Sequence, residues 1–176
     1  MSTLLKLRDY QRAALDAVAA EWAKGTRRPA AVLPTGAGKT VVFAHLAKEH
    51  LDAEPAGRVV VLVHTDELVQ QAYRKVRNVA PHLHVGIVKA ERNEVRARVI
   101  VASVQSLRSE KRRSMIQGVS LVIVDECHHA TAATYRGILA HFGCLPAVPG
   151  GELPPGGARA IGFTATLARG DKAKLS

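Results

Sequence analysis

The stretch PAAVLPTGAGKTVVFAHLAKEHL, residues 29–51, gives three structural signals in succession. PAAVLP reads as a short buried strand ending at Pro34, TGAG interrupts regular structure, and KTVVFAHLAKEHL reads as a helix. Strand, glycine turn and helix form the setting in which LPTGAGKT, residues 33–40, becomes a phosphate-binding loop. Gly36 and Gly38 let backbone N–H groups approach an anion with no Cβ in the way. The helix that follows aims its positive end at the same point. Pro34, Thr35, Gly36, Ala37, Gly38, Lys39 and Thr40 are therefore candidate contacts for nucleotide phosphates. Within this set Lys39 reaches the β- and γ-phosphates and the Thr40 hydroxyl ligates Mg²⁺. The general pattern begins with glycine, a position held here by Leu33.

Outward from this loop, strand and helix patterns alternate. Upstream, Tyr10, Ala13, Ala14, Ala17, Val18 and Trp22 recur at helical spacing across residues 9–24, with Gly25 as a stop. Downstream, RVVVLVHT (58–65) is a continuous apolar strand of the kind buried on both faces of a parallel sheet. Thr65 and Asp66 can cap the next helix, whose apolar side is Leu68, Val69, Ala72, Tyr73, Val76 and Val79 and which stops at Pro81. LHVGIVK and RVIVAS are two further strands separated by the charged AERNEVRA. SLVIVDE is another, ATAATYRGILAHF a helix, and ARAIGFTAT a last strand. The alternation predicts an α/β fold, a mostly parallel sheet with helices on both faces. LPAVPGGELPPGG, between Cys144 and Arg159, is a loop.

SLVIVDE has a chemical meaning as well. A phosphate loop needs a second carboxylate for Mg²⁺ at the tip of another buried strand, and Asp125 stands there. Glu126 beside it can polarise an attacking water as general base. A zinc reading of Cys127, His128, His129, His141 and Cys144 competes with this. Three consecutive residues converge poorly on one tetrahedral centre, and paired C-x-x-C spacing is absent. A packed thiol at Cys127 and a hydrogen-bonding His128 near the γ-phosphate are the more economical roles.

Composition agrees with a globular domain of this class. The 176 residues are 47% apolar but only 4% aromatic, and a chain of this size folds without disulfides or metal. Lys and Arg number 25 against 15 acids, for a net charge of +10 and an isoelectric point near 10.1. A polyanion, nucleic acid first, is the expected partner, against a merely arginine-rich soluble protein. Two cysteines argue against a disulfide framework and for a reducing, cytoplasmic setting. No apolar run reaches 18 residues and the N-terminus lacks a signal-type core, so no membrane is expected.

Lys39-Thr40, DECH at 125–128 and FTAT at 163–166 fall in the order and spacing of a known family. Together they resemble the first RecA-like domain of a superfamily 2 helicase or translocase of the DExH type (the DEAD/DEAH-box group). The likeness is to the branch with type III restriction subunits and XPB-like excision-repair helicases, and it covers about residues 7–167. It implies ATP with Mg²⁺ as cofactors and a nucleic-acid partner, DNA ahead of RNA. LRDYQ is similar to an adenine-reading segment, which implies Gln11 as the base contact. VHTDELVQQ and VASVQSL are similar to segments lining the strand's path, which implies backbone contacts from Thr65, Ser103, Gln105 and Ser106. Thr164 and Thr166 would couple phosphate state to strand binding, with Lys39, Asp125, Glu126 and His128 as the catalytic set.

The resemblance also implies a second RecA-like domain in cis, whose arginines contribute roughly 10³–10⁵ in rate. Residues 1–168 would be the ATP-binding domain and 169–176 the start of a linker, with slow or no hydrolysis by this piece alone. Two other classes stay open: a non-catalytic nucleic-acid-binding or assembly module with a vestigial phosphate loop, and a P-loop small-molecule kinase. The basic EKRRS, residues 110–114, is either a phosphate contact or a solvated run.

Overall fold

A computed structural model describes residues 5–128 and 132–165. Seven strands form one sheet: β1 (Ala30–Val32), β2 (Arg58–Val63), β3 (Val85–Lys89), β4 (Arg92–Asn93), β5 (Val99–Ser103), β6 (Val119–Asp125) and β7 (Arg159–Thr164). Their spatial order is β1-β7-β6-β2-β5-β3-β4, and every pairing is parallel except β3 with β4. The helices are α1 (Asp9–Ala23), α2 (Lys39–Ala53), α3 (Asp66–Val79), α4 (Glu110–Ser114) and α5 (Ala133–His141), with one 3₁₀ turn at Ser106–Arg108. The expected alternation of strands and helices is present. The charged AERNEVRA also contains the two-residue antiparallel β4, and EKRRS forms the one-turn α4.

The apolar strands divide their side chains between two cores, because successive Cβ atoms leave opposite faces of a strand. Val59, Val61, Val63, Val99, Val101, Leu121, Ile123, Ile161 and Phe163 pack with α1, α2 and α3. Val60, Leu62, Ile100, Ala102, Val122, Val124 and Ala160 pack with α5 and the segment around Leu107 and Ile116. A sheet covered on both faces requires apolar residues at every position, which is why these strands read as unbroken runs.

The face of α1 differs from the expected one. Gln11, Leu15 and Val18 are buried with Ala14 and Trp22 half-buried, whereas Tyr10, Ala13 and Ala17 are exposed. Alanine contributes little burial energy, so Leu15 sets the inward face, and Gln11 turns in with it on the same stripe. Phe43 on α2 packs against Phe163 on β7 with ring centroids 4.8 Å apart. That contact fixes the helix following the phosphate loop to the sheet's interior.

Candidate functional site

In a parallel sheet all strand tips point one way, and the loops leaving them form a common rim. The phosphate loop leaves β1, DECH leaves β6, Thr65 follows β2, Ser103 ends β5 and Thr164 ends β7. β7 lies between β1 and β6, so Thr164 stands between the phosphate loop and the acid pair. Gly36, Gly38, Lys39, Thr40, Asp125 and Glu126 line one cavity of about 570 Å³, together with His64, Leu68 and Gln71.

The loop is shaped by its glycines. Gly36 has φ +84° and Gly38 φ +74°, left-handed values that favour glycine. Gly38 is the N-cap of α2, and its carbonyl accepts from Val41 and Val42. The Lys39 and Thr40 N–H groups, in the first turn ahead of these, have no acceptor within the helix. Leu33, at the position where glycine is usual, is buried in the core, and its N–H donates to the Thr164 carbonyl at 2.9 Å. That position therefore holds β1 to β7 and has no need of a glycine's freedom.

Two donors on α1 clamp the loop's backbone. The Tyr10 hydroxyl and Gln11 Nε2 each donate to the Ala37 carbonyl at 2.8 Å, while the Ala37 N–H donates to the Pro34 carbonyl. Gln11 Oε1 accepts from the Arg8 N–H at 2.9 Å, and Nε2 lies 3.5 Å from the Gly38 carbonyl. Gln11 is 4% exposed with both ends of its amide engaged. A Cβ on Gly38 would come within 2.6 Å of Gln11 Nε2, so glycine is needed there for space as well as for φ. The periodic reading of α1 missed Tyr10 as a functional residue because it counted the ring as core.

Lys39 and the acid pair meet. Lys39 Nζ donates to Glu126 Oε1 at 2.6 Å and lies 3.4 Å from Asp125 Oδ1. Burial alone would lower the Lys39 pKa, but the Glu126 bond and the two carboxylate charges outweigh it and hold the ammonium above its ordinary value. The same lysine pulls Glu126 below the carboxylate range against the effect of burial, helped by His128 and His64. Asp125 goes the other way: burial, reinforced by the neighbouring Glu126 charge, outweighs Lys39 and raises it. Asp125 Oδ1 is buried with no hydrogen bond, because the 3.4 Å contact with Lys39 is long and misaligned. Glu126 has φ +53°, a left-handed conformation costing a non-glycine residue about 1–2 kcal/mol. This reversal after the strand turns its carboxylate back toward Lys39.

His128 Nδ1 lies 3.1 Å from Thr164 Oγ1 and 3.3 Å from Glu126 Oε2, so it bridges the acid loop and β7. Thr166 and His129 lie outside the described residues. Among the described residues no group of three His, Cys, Asp or Glu side chains is placed to hold a metal. Cys127 and Cys144 are buried and free, and burial pushes the Cys127 thiol up to about 11, away from a thiolate ligand.

The residues expected along the strand's path share the rim but are partly committed to local structure. Thr65 Oγ1 accepts from the Leu68 N–H as the N-cap of α3. Ser103 is 6% exposed; its hydroxyl donates to Ser106 Oγ at 2.8 Å and accepts from the Ser106 N–H. Gln105 is exposed between them. In EKRRS, Arg113 donates to the carbonyls of Leu107 and Arg108 and Arg112 to that of Ala90. Both arginines thus fasten backbone, a role neither reading of that segment foresaw. His64 and Gln71 are further cleft residues the sequence reading passed over, although His64 directly follows a buried strand, the place where cleft residues arise.

Comparison with known proteins adds the context. The family described as type III restriction enzyme, res subunit, matches residues 4–169. A Saccharomyces cerevisiae protein assigned as an ATP-dependent helicase, IRC3, is 38% identical over 177 residues, covering 97% of this chain and 25% of that protein. The mouse ATP-dependent RNA helicase DHX58 is 31% identical over 159 residues, covering 81% and 23%. The chain thus spans about a quarter of the length of these relatives. The crystal structure of the UvsW helicase from bacteriophage T4 superposes with a TM-score of 0.70 at 20% identity, over 96% of this chain and 55% of that one, which shows a shared RecA-like helicase-domain fold. No helix among the described residues is long and apolar enough to cross a membrane.

Proposed function

The chain belongs to the type III restriction enzyme res subunit family, and from that premise we propose that it is the ATP-binding domain of an ATP-dependent nucleic-acid helicase or translocase. The observation that carries the reading is the meeting of Lys39 with Asp125 and Glu126 beneath a glycine-shaped loop. An ammonium held by two carboxylates is the arrangement a triphosphate would break, drawing Lys39 onto its own β- and γ-oxygens.

The donor set fits a magnesium ion. Asp125 Oδ1 is a buried, unbonded anionic oxygen, and hard oxygen donors suit that metal. Thr40 and Asp125 would hold it, and when bound it would draw charge from the phosphate oxygens. Lys39 neutralises phosphate charge and Glu126 orients the attacking water. Gln11 braces the loop and would read adenine by exchanging its weaker contact to Gly38. His128, bridging Glu126 to Thr164, ties the hydrolytic acid to the strand that separates the two halves of the site. Thr164 and Thr166 would relay phosphate state to a strand lying along Thr65, Ser103, Gln105 and Ser106. The excess of cations supports a polyanionic partner, with DNA favoured by the restriction family. The two buried free thiols suit a reducing, cytoplasmic compartment. In a longer enzyme, residues up to about 168 would form this domain and a second RecA-like domain in cis would complete the arginine set.

The test is binding of a fluorescent ATP analogue with Mg²⁺ to the chain and to Lys39→Ala. Loss of one charged donor to phosphate weakens binding by about ten- to hundredfold. Unchanged affinity would make the loop vestigial and leave a non-catalytic binding module.

A further inference from the structure

Residues 68–90 contain four Lys or Arg, at 74, 75, 77 and 89, and no Asp or Glu. Most of α3 lies in this segment; its first turn carries Asp66 and Glu67, and Asp66 pairs with Lys89 at 2.8 Å. Val69, Ala72, Val76 and Val79 face the core, while Gln71, Arg74, Arg77 and Asn78 are exposed on the opposite side. Arg74, Arg77, Asn78 and Pro81 line a depression of about 400 Å³. Side chains three and four apart on a helix have Cβ atoms about 5–6 Å apart, so this face presents a closely spaced row of donors. No ion pair joins Arg74, Lys75 or Arg77 to a described residue.

Arg77 is held in place. Its Cζ stands 5.4 Å from the Tyr73 ring centroid and its Nη1 donates to the Tyr73 hydroxyl at 3.3 Å. Arg92, paired with Glu94, stands 5.7 Å from the same centroid. The half-buried Tyr73 ring is thus already engaged by two cations. Gln71, one turn before Arg74, lines the phosphate cleft, so the polar face runs from that cleft toward Pro81.

We propose that this face of α3 docks the phosphate backbone of duplex nucleic acid, a surface distinct from the strand path at the sheet's rim. Concavity, arginines without a carboxylate partner and the guanidinium of Arg77 held by Tyr73 match a row of phosphates. A single-stranded site combines charge with aromatic platforms for unstacked bases, and this face supplies charge alone.

The experiment compares binding of a short DNA duplex and of one of its strands by the chain and by R74A/R77A, across a salt series. The expected result is weaker duplex binding and a log–log salt slope shallower by about 1.8, near 0.9 for each phosphate left without its arginine. Single-strand affinity stays unchanged, as does binding of the ATP analogue, and R74K/R77K restores duplex binding. Duplex affinity and slope unchanged in R74A/R77A would overturn the proposal, as would no duplex binding by the parent chain or an equal loss on the single strand. Failure of the nucleotide-site reading is seen separately, in the Lys39→Ala measurement.

Discussion

Asp125→Asn is expected to stabilise the nucleotide-free chain while removing the carboxylate proposed to hold magnesium. Asp125 is 3% exposed, one of its oxygens is buried without a hydrogen bond, and its neighbour Glu126 takes the 2.6 Å bond from Lys39. Burial and the Glu126 charge together outweigh Lys39 and raise the folded carboxyl above its unfolded value. The sign follows. Above the folded value the carboxyl is charged in both states and the folded state bears the cost. On acidification the folded carboxyl takes its proton first, so the cost disappears as pH falls through the folded value toward the unfolded one near 3.9. Asparagine keeps the shape, removes the charge and supplies a donor. Relief of one such unfavourable site amounts to about 1 kcal/mol, which for a chain of this size raises Tm by about 2–4 °C. Calorimetry without nucleotide should show that gain at pH 7 and its near disappearance around pH 3, and ATP with Mg²⁺ should raise the Tm of the parent chain but not of the variant. A lower Tm for Asp125→Asn at pH 7 would refute the reasoning, since it would mean that attraction to Lys39 exceeds the cost of burial.

Two further predictions concern the supporting structure. Tyr10→Phe removes one of two donors to the Ala37 carbonyl and should cost about 0.5–1.5 kcal/mol in urea unfolding; because Gln11 shares that acceptor, the double variant with Gln11→Ala should be non-additive by about 0.5 kcal/mol or more. Buried His50 has its pKa lowered by burial in spite of Glu54, and its Nε2 lies 2.7 Å from Ser120 Oγ, which donates to the Arg58 carbonyl. A depressed histidine contributes stability above about pH 6.5 that is lost as pH falls toward the folded value. Tm measured between pH 7 and 5 should therefore fall less steeply in His50→Gln than in the parent chain, and an identical slope would exclude His50 as the source.

The strands and the phosphate loop were legible because both depend on local sequence. Val59 to Val63 is apolar at every position, and that pattern has few explanations besides a sheet covered on both sides. Asp125 and Glu126 were legible because two acids ending such a strand have few stable uses without a cation. Long-range placement was not legible. Nothing in RDYQR says that its glutamine rather than its tyrosine turns inward, since the arbiter is Leu15 against a core built from distant strands. Thr65 and Ser103 illustrate a second limit. A hydroxyl beside a strand tip suits both a phosphate contact and a local cap, and here each accepts a hydrogen bond from a backbone N–H close by. The arginines of EKRRS were opaque for a similar reason, because carbonyls left open by a 3₁₀ turn are a feature of the fold and not of the local sequence.

The place of β7 has a consequence for how the chain acquires its site. β1 is the border strand of the sheet, and its one neighbour is β7, with Ala30 aligned to Gly162 and Val32 to Thr164. During synthesis β1 is made more than a hundred residues before β7. Until then the loop after β1 has no fixed distance to Asp125, although the loop's own residues were made long before. A ligand held by the loop and the acid pair together therefore depends on β7 being in place between them.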